Sequence, residues 1–202
     1  VNARYLSMPH VESGMAVGLF GGSFNPPHDG HALVAETALR RLGLDQLWWM
    51  VTPGNPLKDR NHLAPLGERI AMSEKIARNP RIKVTAFEQA LGQSYTARTL
   101  EVIRARNRDV RFVWVMGADN LKNFHRWQDW RKIVATFPIA VVDRPGSTLA
   151  YLSSPMARAF SSARVDEDDA GTLAFRRAPA WTFIHGPRSG LSSTALRSAK
   201  SG

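Results

Sequence analysis

Ala16-Val17-Gly18-Leu19-Phe20-Gly21-Gly22-Ser23-Phe24-Asn25-Pro26-Pro27-His28-Asp29-Gly30-His31 is the stretch on which the fold turns. Residues 16–20 form a short apolar run that meets two adjacent glycines, the pattern of a buried strand entering a tight turn. Residues 31–42 then place Leu33, Val34, Ala38, Leu39 and Leu42 at helical spacing, with Gly43 positioned to end the helix. A strand, a glycine turn and a helix in immediate succession make the first unit of an α/β protein.

Working outward, the alternation continues. Residues 46–51 (QLWWMV) read as a second strand stopped by Pro53 and Gly54, and residues 53–65, rich in Pro, Asn and charge, as a loop. A helix follows over 66–77, ended by Asn79 and Pro80, and a third strand over 81–87. Residues 96–106 read as a helix capped by Ser94 or Thr96, and 111–116 as a fourth strand ended by Gly117. Strands at 138–142 and 181–185 and a helix at 193–200 complete the series. Residues 161–177, mixed in charge and poor in periodicity, read as a mobile excursion. The expected fold is a single α/β domain, a Rossmann-like doubly wound parallel sheet with helices on both faces. Its domain spans residues 16–202, after a short, ragged N-terminal extension at 1–15. Ligands in such sheets bind beyond the carboxyl ends of the strands, where the strand order reverses. That rule singles out the turns after Phe20, Val51, Phe87, Met116 and His185.

Composition narrows the chemistry. The chain has 202 residues and no cysteine, which excludes disulfides, zinc–thiolate sites, iron–sulfur clusters and cysteine nucleophiles. No apolar run is long enough to span a membrane and residues 1–16 lack a secretory apolar stretch, so a cytoplasmic protein without a membrane partner is expected. The net charge of +10 comes from 27 Lys and Arg against 17 Asp and Glu. The arginines are scattered rather than gathered into a tract, which favours phosphate-bearing metabolites over nucleic acid.

The turn itself is built for phosphate. Paired glycines let the backbone approach a ligand with no Cβ in the way, and the next helix aims its N–H groups and positive dipole end into the same crevice. Pro26 and Pro27 stiffen the connection. His28 and His31 stand three apart around Gly30, so both rings can face one phosphate. The G-x-G-x-x-G fingerprint is absent, and so is the Lys-Ser/Thr pair of a Walker A loop. A metal pair at His28 and His31 has no third ligand nearby to support it.

The spelling resembles the G-x-F-[DN]-P-x-H-x-G-H signature of the nucleotidyltransferase superfamily related to class I aminoacyl-tRNA synthetases. Leu191-Ser192-Ser193-Thr194-Ala195-Leu196-Arg197 looks like the I-S-[ST]-T-x-[IL]-R box near the end of the same enzymes. Between them, Ser94-Tyr95-Thr96-Ala97-Arg98-Thr99-Leu100 and the stretch from Gly117 to Trp127 are similar to the S-Y-T-x-x-T-L and G-x-D-x-L-x-x-F-x-x-W segments of the nicotinate mononucleotide adenylyltransferases. The resemblance runs from about Val17 to Arg197. Asn25 stands where many members carry Asp, and residues 53–58 (PGNPLK) depart from the commoner P-N-x-x-P-P-H/K.

This resemblance implies transfer of AMP from ATP to nicotinate mononucleotide, giving nicotinate adenine dinucleotide and pyrophosphate in NAD biosynthesis, by direct in-line attack with no covalent intermediate. It implies that His28, His31 and Arg197 are catalytic, with His31 nearest the α-phosphoryl group. Gly21, Gly22, Ser23, Phe24 and Gly30 are expected to line the phosphates and the mononucleotide, and Ser192 and Ser193 to hold the β- and γ-phosphates with Arg197. Asp119, after Gly117, is expected at ribose hydroxyls, Trp127 on the pyridine ring and Thr96 at the ring substituent. Asn55, Lys58 and Arg144 are expected to border the crevice. Simpler roles stand beside these: helix caps for Ser192, Ser193 and Asp119, a surface charge for Arg197, a core position for Trp127. Mg2+ is implied with the ATP phosphates, bound through phosphate oxygens and water rather than a protein cage.

Overall fold

A computed structural model describes residues 1–54, 62–92, 95–143 and 153–186. Seven strands form one sheet: β1 (Ala16–Gly22), β2 (Gln46–Val51), β3 (Ile82–Thr85), β4 (Arg111–Gly117), β5 (Ile139–Val142), β6 (Arg164–Val165) and β7 (Trp181–Ile184). Their order is β3-β2-β1-β4-β5-β7-β6, and every neighbouring pair is parallel. A parallel sheet is covered on both faces, so a central strand can be apolar at successive positions rather than at alternate ones. Leu47, Trp48, Trp49, Met50 and Val51 are accordingly all buried.

The helices are α1 (Asp29–Arg41), α2 (Leu66–Ile76), α3 (Phe87–Leu91), α4 (Thr96–Arg106), α5 (Ala118–Leu121), α6 (Trp130–Thr136) and α7 (Pro155–Ala159). Successive strand side chains point to opposite faces, and two cores result. Trp49, Val113 and Val115 pack with Val34, Ala38 and Leu39 of α1 and Ile70 of α2. Trp48, Phe112 and Trp114 pack with Leu100 and Ile103 of α4 and Ile133 and Val134 of α6. Helix α1 ends at Leu42, and Gly43 takes φ +62°, the left-handed turn that closes it. The expected doubly wound sheet is therefore present, and among the described residues no helix is long and apolar enough to cross a membrane.

Four local expectations are corrected. The third strand stops at Thr85 rather than running to residue 87: the Phe87 N–H donates to Thr85 Oγ1 at 3.3 Å, and the chain turns there into α3. Helix α4 is preceded by Tyr95, which gives no side-chain cap, so Thr96 is its first residue and not its cap; Ser94 lies outside the described residues. Residues 161–177 are not a loose excursion. They form edge strand β6 and a 3₁₀ stretch (Glu167–Phe175) whose Ala170, Leu173 and Ala174 are buried against the first core. A 3₁₀ spiral lacks the 3.6-residue repeat that a sequence scan recognises. Residues 1–15 are docked rather than ragged: the Ala86 N–H donates to Tyr5 O at 2.8 Å, and Met8, Val11 and Met15 pack on the second core.

Candidate active site

The strand order reverses between β1 and β4, because the chain winds from β1 to β2 and β3 on one side and from β4 to β5 on the other. Their carboxyl ends, Gly21–Gly22 and Gly117, open the crevice where such sheets bind ligands. Gly21 has a steric reason to be glycine: a Cβ there would lie 2.6 Å from Cη2 of Trp114. The indole of Trp114 thus floors the turn. It also meets Trp127 edge to face, with ring centroids 6.4 Å apart, so one side chain joins the glycine turn to the expected pyridine site.

Beyond the glycines, Ser23 is exposed and Phe24 is buried at φ +45°, a left-handed conformation rare for an aromatic residue. The Phe24 ring is held by Phe20 (5.3 Å) and Trp49 (4.6 Å), and it supports His31 edge-on at 5.0 Å. Phe24 is therefore the packing beneath the site, and what it can offer a ligand is its backbone. His28 stands just before α1 and His31 is the third residue of the helix. The His28 N–H donates to His31 Nδ1 at 3.2 Å, and the His31 N–H donates to the His28 carbonyl at 2.8 Å. An Nδ1 that accepts leaves Nε2 as the ring atom able to donate. The two rings lie 3.8 Å apart, 31° from parallel. They differ in depth: His28 is buried, whereas His31 is half-buried. Gly30, between them, is buried in the first turn of α1.

On the other side of the crevice stand the residues expected to read the acceptor. Gly117 is the N-cap of α5 and Asp119 its exposed second residue, which removes capping as the role of that carboxylate. Trp127 is half-buried, one part packed on Phe124 at 5.3 Å and on the second core. The core position is thus taken up in part, and the rest of the indole stays accessible. Thr96 opens α4 with no acidic residue in the first turn and no side-chain cap from Tyr95. The Arg98 and Thr99 N–H groups donate to the Tyr95 carbonyl, each at 3.1 Å, so the donors left for a ligand acceptor among the described residues are the N–H groups of Thr96 and Ala97. Asn55, Lys58, Arg144, Ser192, Ser193, Arg197 and the helix expected at 193–200 lie outside the described residues.

Three buried ionisable groups escaped the sequence reading: Arg69, Glu88 and Asp143. Arg69 in α2 is buried, and its guanidinium bonds three main-chain carbonyls, one of them that of Ser23. The signal was an arginine on the apolar stripe of a helix, between Leu66 and Ile70. Glu88 in α3 is buried and accepts from Thr99 Oγ1 of α4 at 2.8 Å, while its Oε2 has no hydrogen-bond partner among the described residues. Burial pushes this carboxyl up to about 7, with the Thr99 hydrogen bond opposing. Among the described residues no group of three or more His, Asp or Glu side chains could hold a metal ion by itself.

The comparisons with known proteins agree with this geometry. Residues 19–199 match the family model described as cytidylyltransferase-like. The chain is 72% identical over 194 residues to a Rhizobium johnstonii protein named "Probable nicotinate-nucleotide adenylyltransferase", covering 96% of this chain and 98% of that one. It is 74% identical to the protein of the same name from Agrobacterium fabrum, covering 91% of this chain and 98% of that one. Among solved structures, the Plasmodium falciparum nicotinic acid mononucleotide adenylyltransferase complexed with NaAD matches with a TM-score of 0.68 at 17% identity, over 91% of this chain and 83% of that one. At that identity the structural match speaks for the fold.

Proposed function

The chain belongs to the cytidylyltransferase-like family, among its nicotinate-nucleotide adenylyltransferases, and we propose that it joins AMP from ATP to nicotinate mononucleotide in the crevice between β1 and β4. A phosphate oxygen of the mononucleotide attacks the α-phosphorus of ATP, the bond from that phosphorus to the bridging oxygen breaks, and pyrophosphate leaves. The attacking phosphate is already ionised at neutral pH, so no general base is required. What the protein supplies is in-line positioning and donors for the charge on the transferring group and the leaving pyrophosphate.

One observation carries this reading. His31 is fixed by its Nδ1 on the His28 backbone N–H at 3.2 Å, at the start of a 13-residue helix beside the glycine pair and the strand-order switch. That bond turns Nε2–H into an aimed donor, and the helix dipole adds positive potential at the same point. His31 serves the α-phosphoryl group in this account, with His28 beneath it. Backbone groups of Gly21, Gly22, Ser23, Phe24 and Gly30 line the phosphates. Ser192, Ser193 and Arg197 take the terminal phosphates, with Asn55, Lys58 and Arg144 bordering them, as the family resemblance implies. Gly117 and Asp119 meet ribose hydroxyls, Trp127 stacks on the pyridine ring, and the Thr96 end of α4 receives the ring carboxylate. ATP enters as its magnesium complex. The donor set on this face is histidine and backbone N–H, which suits phosphate oxygens; magnesium, when bound with ATP, would be held by those oxygens and water and would offset their charge.

The test is pyrophosphate release from ATP and magnesium across three acceptors: nicotinate mononucleotide, nicotinamide mononucleotide and phosphopantetheine. Release is expected to be fastest with nicotinate mononucleotide. Release only with phosphopantetheine would move the chain to another branch of the superfamily.

A further inference from the structure

Arg69 lies one turn into α2, 1% exposed. Its Nε donates to the Ala64 carbonyl at 2.9 Å, and its Nη1 to the carbonyls of Ser23 at 2.7 Å and Thr52 at 2.8 Å. This is an expensive arrangement. The first turn of a helix disfavours a cation, burial pulls the guanidinium's pKa down, and no carboxylate pairs with it among the described residues. An arginine stays charged in proteins all the same, so three carbonyl dipoles carry the whole burden of replacing water around a full charge.

The three carbonyls are informative. Thr52 and Ala64 each precede a proline, so their peptides carry no N–H. The peptide from Ser23 to Phe24 does carry one. In a planar trans peptide the C=O and N–H point in opposite directions. With the Ser23 carbonyl drawn inward to Arg69, the Phe24 N–H is turned the other way, at the one non-glycine residue of the turn held at positive φ. A second tie runs parallel to the first: Asn25 Oδ1 accepts from the Ala64 N–H at 3.1 Å, and its Nδ2 donates to the His62 carbonyl at 2.8 Å.

We propose that Arg69 is a positioning residue for AMP transfer, fixing the peptide between Ser23 and Phe24, and with it the phosphate-holding turn after β1, against the chain leaving β2. The inference rests on the functional reading given above. Arg69 touches no substrate in this account. It acts through the backbone donors of the turn and through a buried positive charge behind the polyphosphate.

The experiment compares wild type with Arg69→Met and Arg69→Lys, assayed well below the melting temperature of the weakest variant. Arg69→Met is expected to lower kcat by roughly 30- to 100-fold, the cost of a misplaced reacting group, with the KM for nicotinate mononucleotide within about twofold of wild type. Arg69→Lys keeps the charge and part of the carbonyl binding, and is expected to regain about a tenth of the wild-type rate or more. Hydrogen exchange at residues 21–25 is expected to rise by roughly tenfold in Arg69→Met while exchange in β4 and β5 stays unchanged. A purely structural arginine predicts a lower Tm with wild-type kcat and KM at the assay temperature, and that result overturns the proposal. If Arg69→Met fails to fold, Arg69→Lys decides: full wild-type kinetics refute the role, and a loss of kcat without a matching loss of Tm supports it. If wild type itself releases no pyrophosphate with any acceptor, the functional reading fails, and the exchange data judge Arg69 separately.

Discussion

The two sides of the crevice are built from opposite materials. The β1 side is a cage of donors: glycines against Trp114, two histidines at a helix start, and a buried arginine whose partners are all backbone carbonyls. The β3 and β4 side holds an exposed carboxylate at Asp119, a half-buried indole at Trp127 and a buried carboxyl at Glu88, pushed up to about 7 by burial, under the start of α4. In the reaction proposed above, one side meets a group of fixed, high negative charge, for which aligned donors suffice. The other must tell a ring bearing a carboxylate from one bearing an amide, and there shape and the pattern of donors decide. On that proposal, rate belongs to the first side and selectivity to the second.

The comparison breaks most easily at His31. His31→Ala is expected to lower kcat by roughly 10²- to 10³-fold, the usual loss for a donor aimed at transition-state charge. The fold is expected to survive, because the ring is half-buried at the crevice edge; near-normal kcat would remove His31 from the chemistry. Next in size is the acceptor preference. A carboxylate only accepts hydrogen bonds, whereas an amide also needs an acceptor for its N–H₂, and the first turn of α4 offers donors without an acidic residue. An unmet buried donor costs about 1–3 kcal/mol, so kcat/KM is expected to favour nicotinate mononucleotide by roughly 5- to 150-fold. Equal values for the two acceptors would end the donor-only account of that turn.

A smaller effect follows for Trp127→Ala. Loss of stacking is expected to raise the KM for the mononucleotide by roughly tenfold and to leave the KM for ATP unchanged; a shift in ATP binding instead would place Trp127 on the other side of the comparison. The mildest effect on turnover is that of Glu88→Gln, whose signature is in stability. Glu88 is raised from 4.5 to about 7 by burial. The folded state therefore holds its proton more tightly than the unfolded one, and the protein loses stability as pH rises from 4.5 through about 7. Glutamine keeps an oxygen to accept from Thr99 and cannot ionise. At pH 8 the variant is expected to be more stable than wild type by on the order of 2–3 kcal/mol, with the difference gone at pH 4. Thermal melts across that range check it, and parallel pH profiles for the two proteins would show that Glu88 is not the group responsible.

The same two sides explain what was legible in the sequence. Strands buried on both faces announce themselves as apolar runs, and the glycine turn with its histidines is local in sequence, so both the parallel sheet and that turn were readable. Arg69 was not, because its partners are carbonyls near residues 23, 52 and 64, and a carbonyl carries no letter in the sequence. Glu88 follows directly on the stretch read as the third strand, and only the turn that Thr85 makes, two residues before the expected end, places it in a helix. Residues 161–177 and 1–15 were misjudged for a related reason: a 3₁₀ stretch and a docked extended segment bury apolar side chains without either regular period. Trp114 looked like one more core residue, and only its contact with Gly21 reveals that it links the two sides.

The division of labour is tested most directly by measuring kcat/KM for nicotinate and nicotinamide mononucleotide in wild type and His31→Ala side by side. The account predicts that both values fall together by roughly 10²- to 10³-fold while their ratio stays within about twofold of wild type, because His31 serves the phosphoryl group that both acceptors share. A ratio that collapses toward one in His31→Ala would contradict it, since selectivity would then reside on the phosphate side of the crevice.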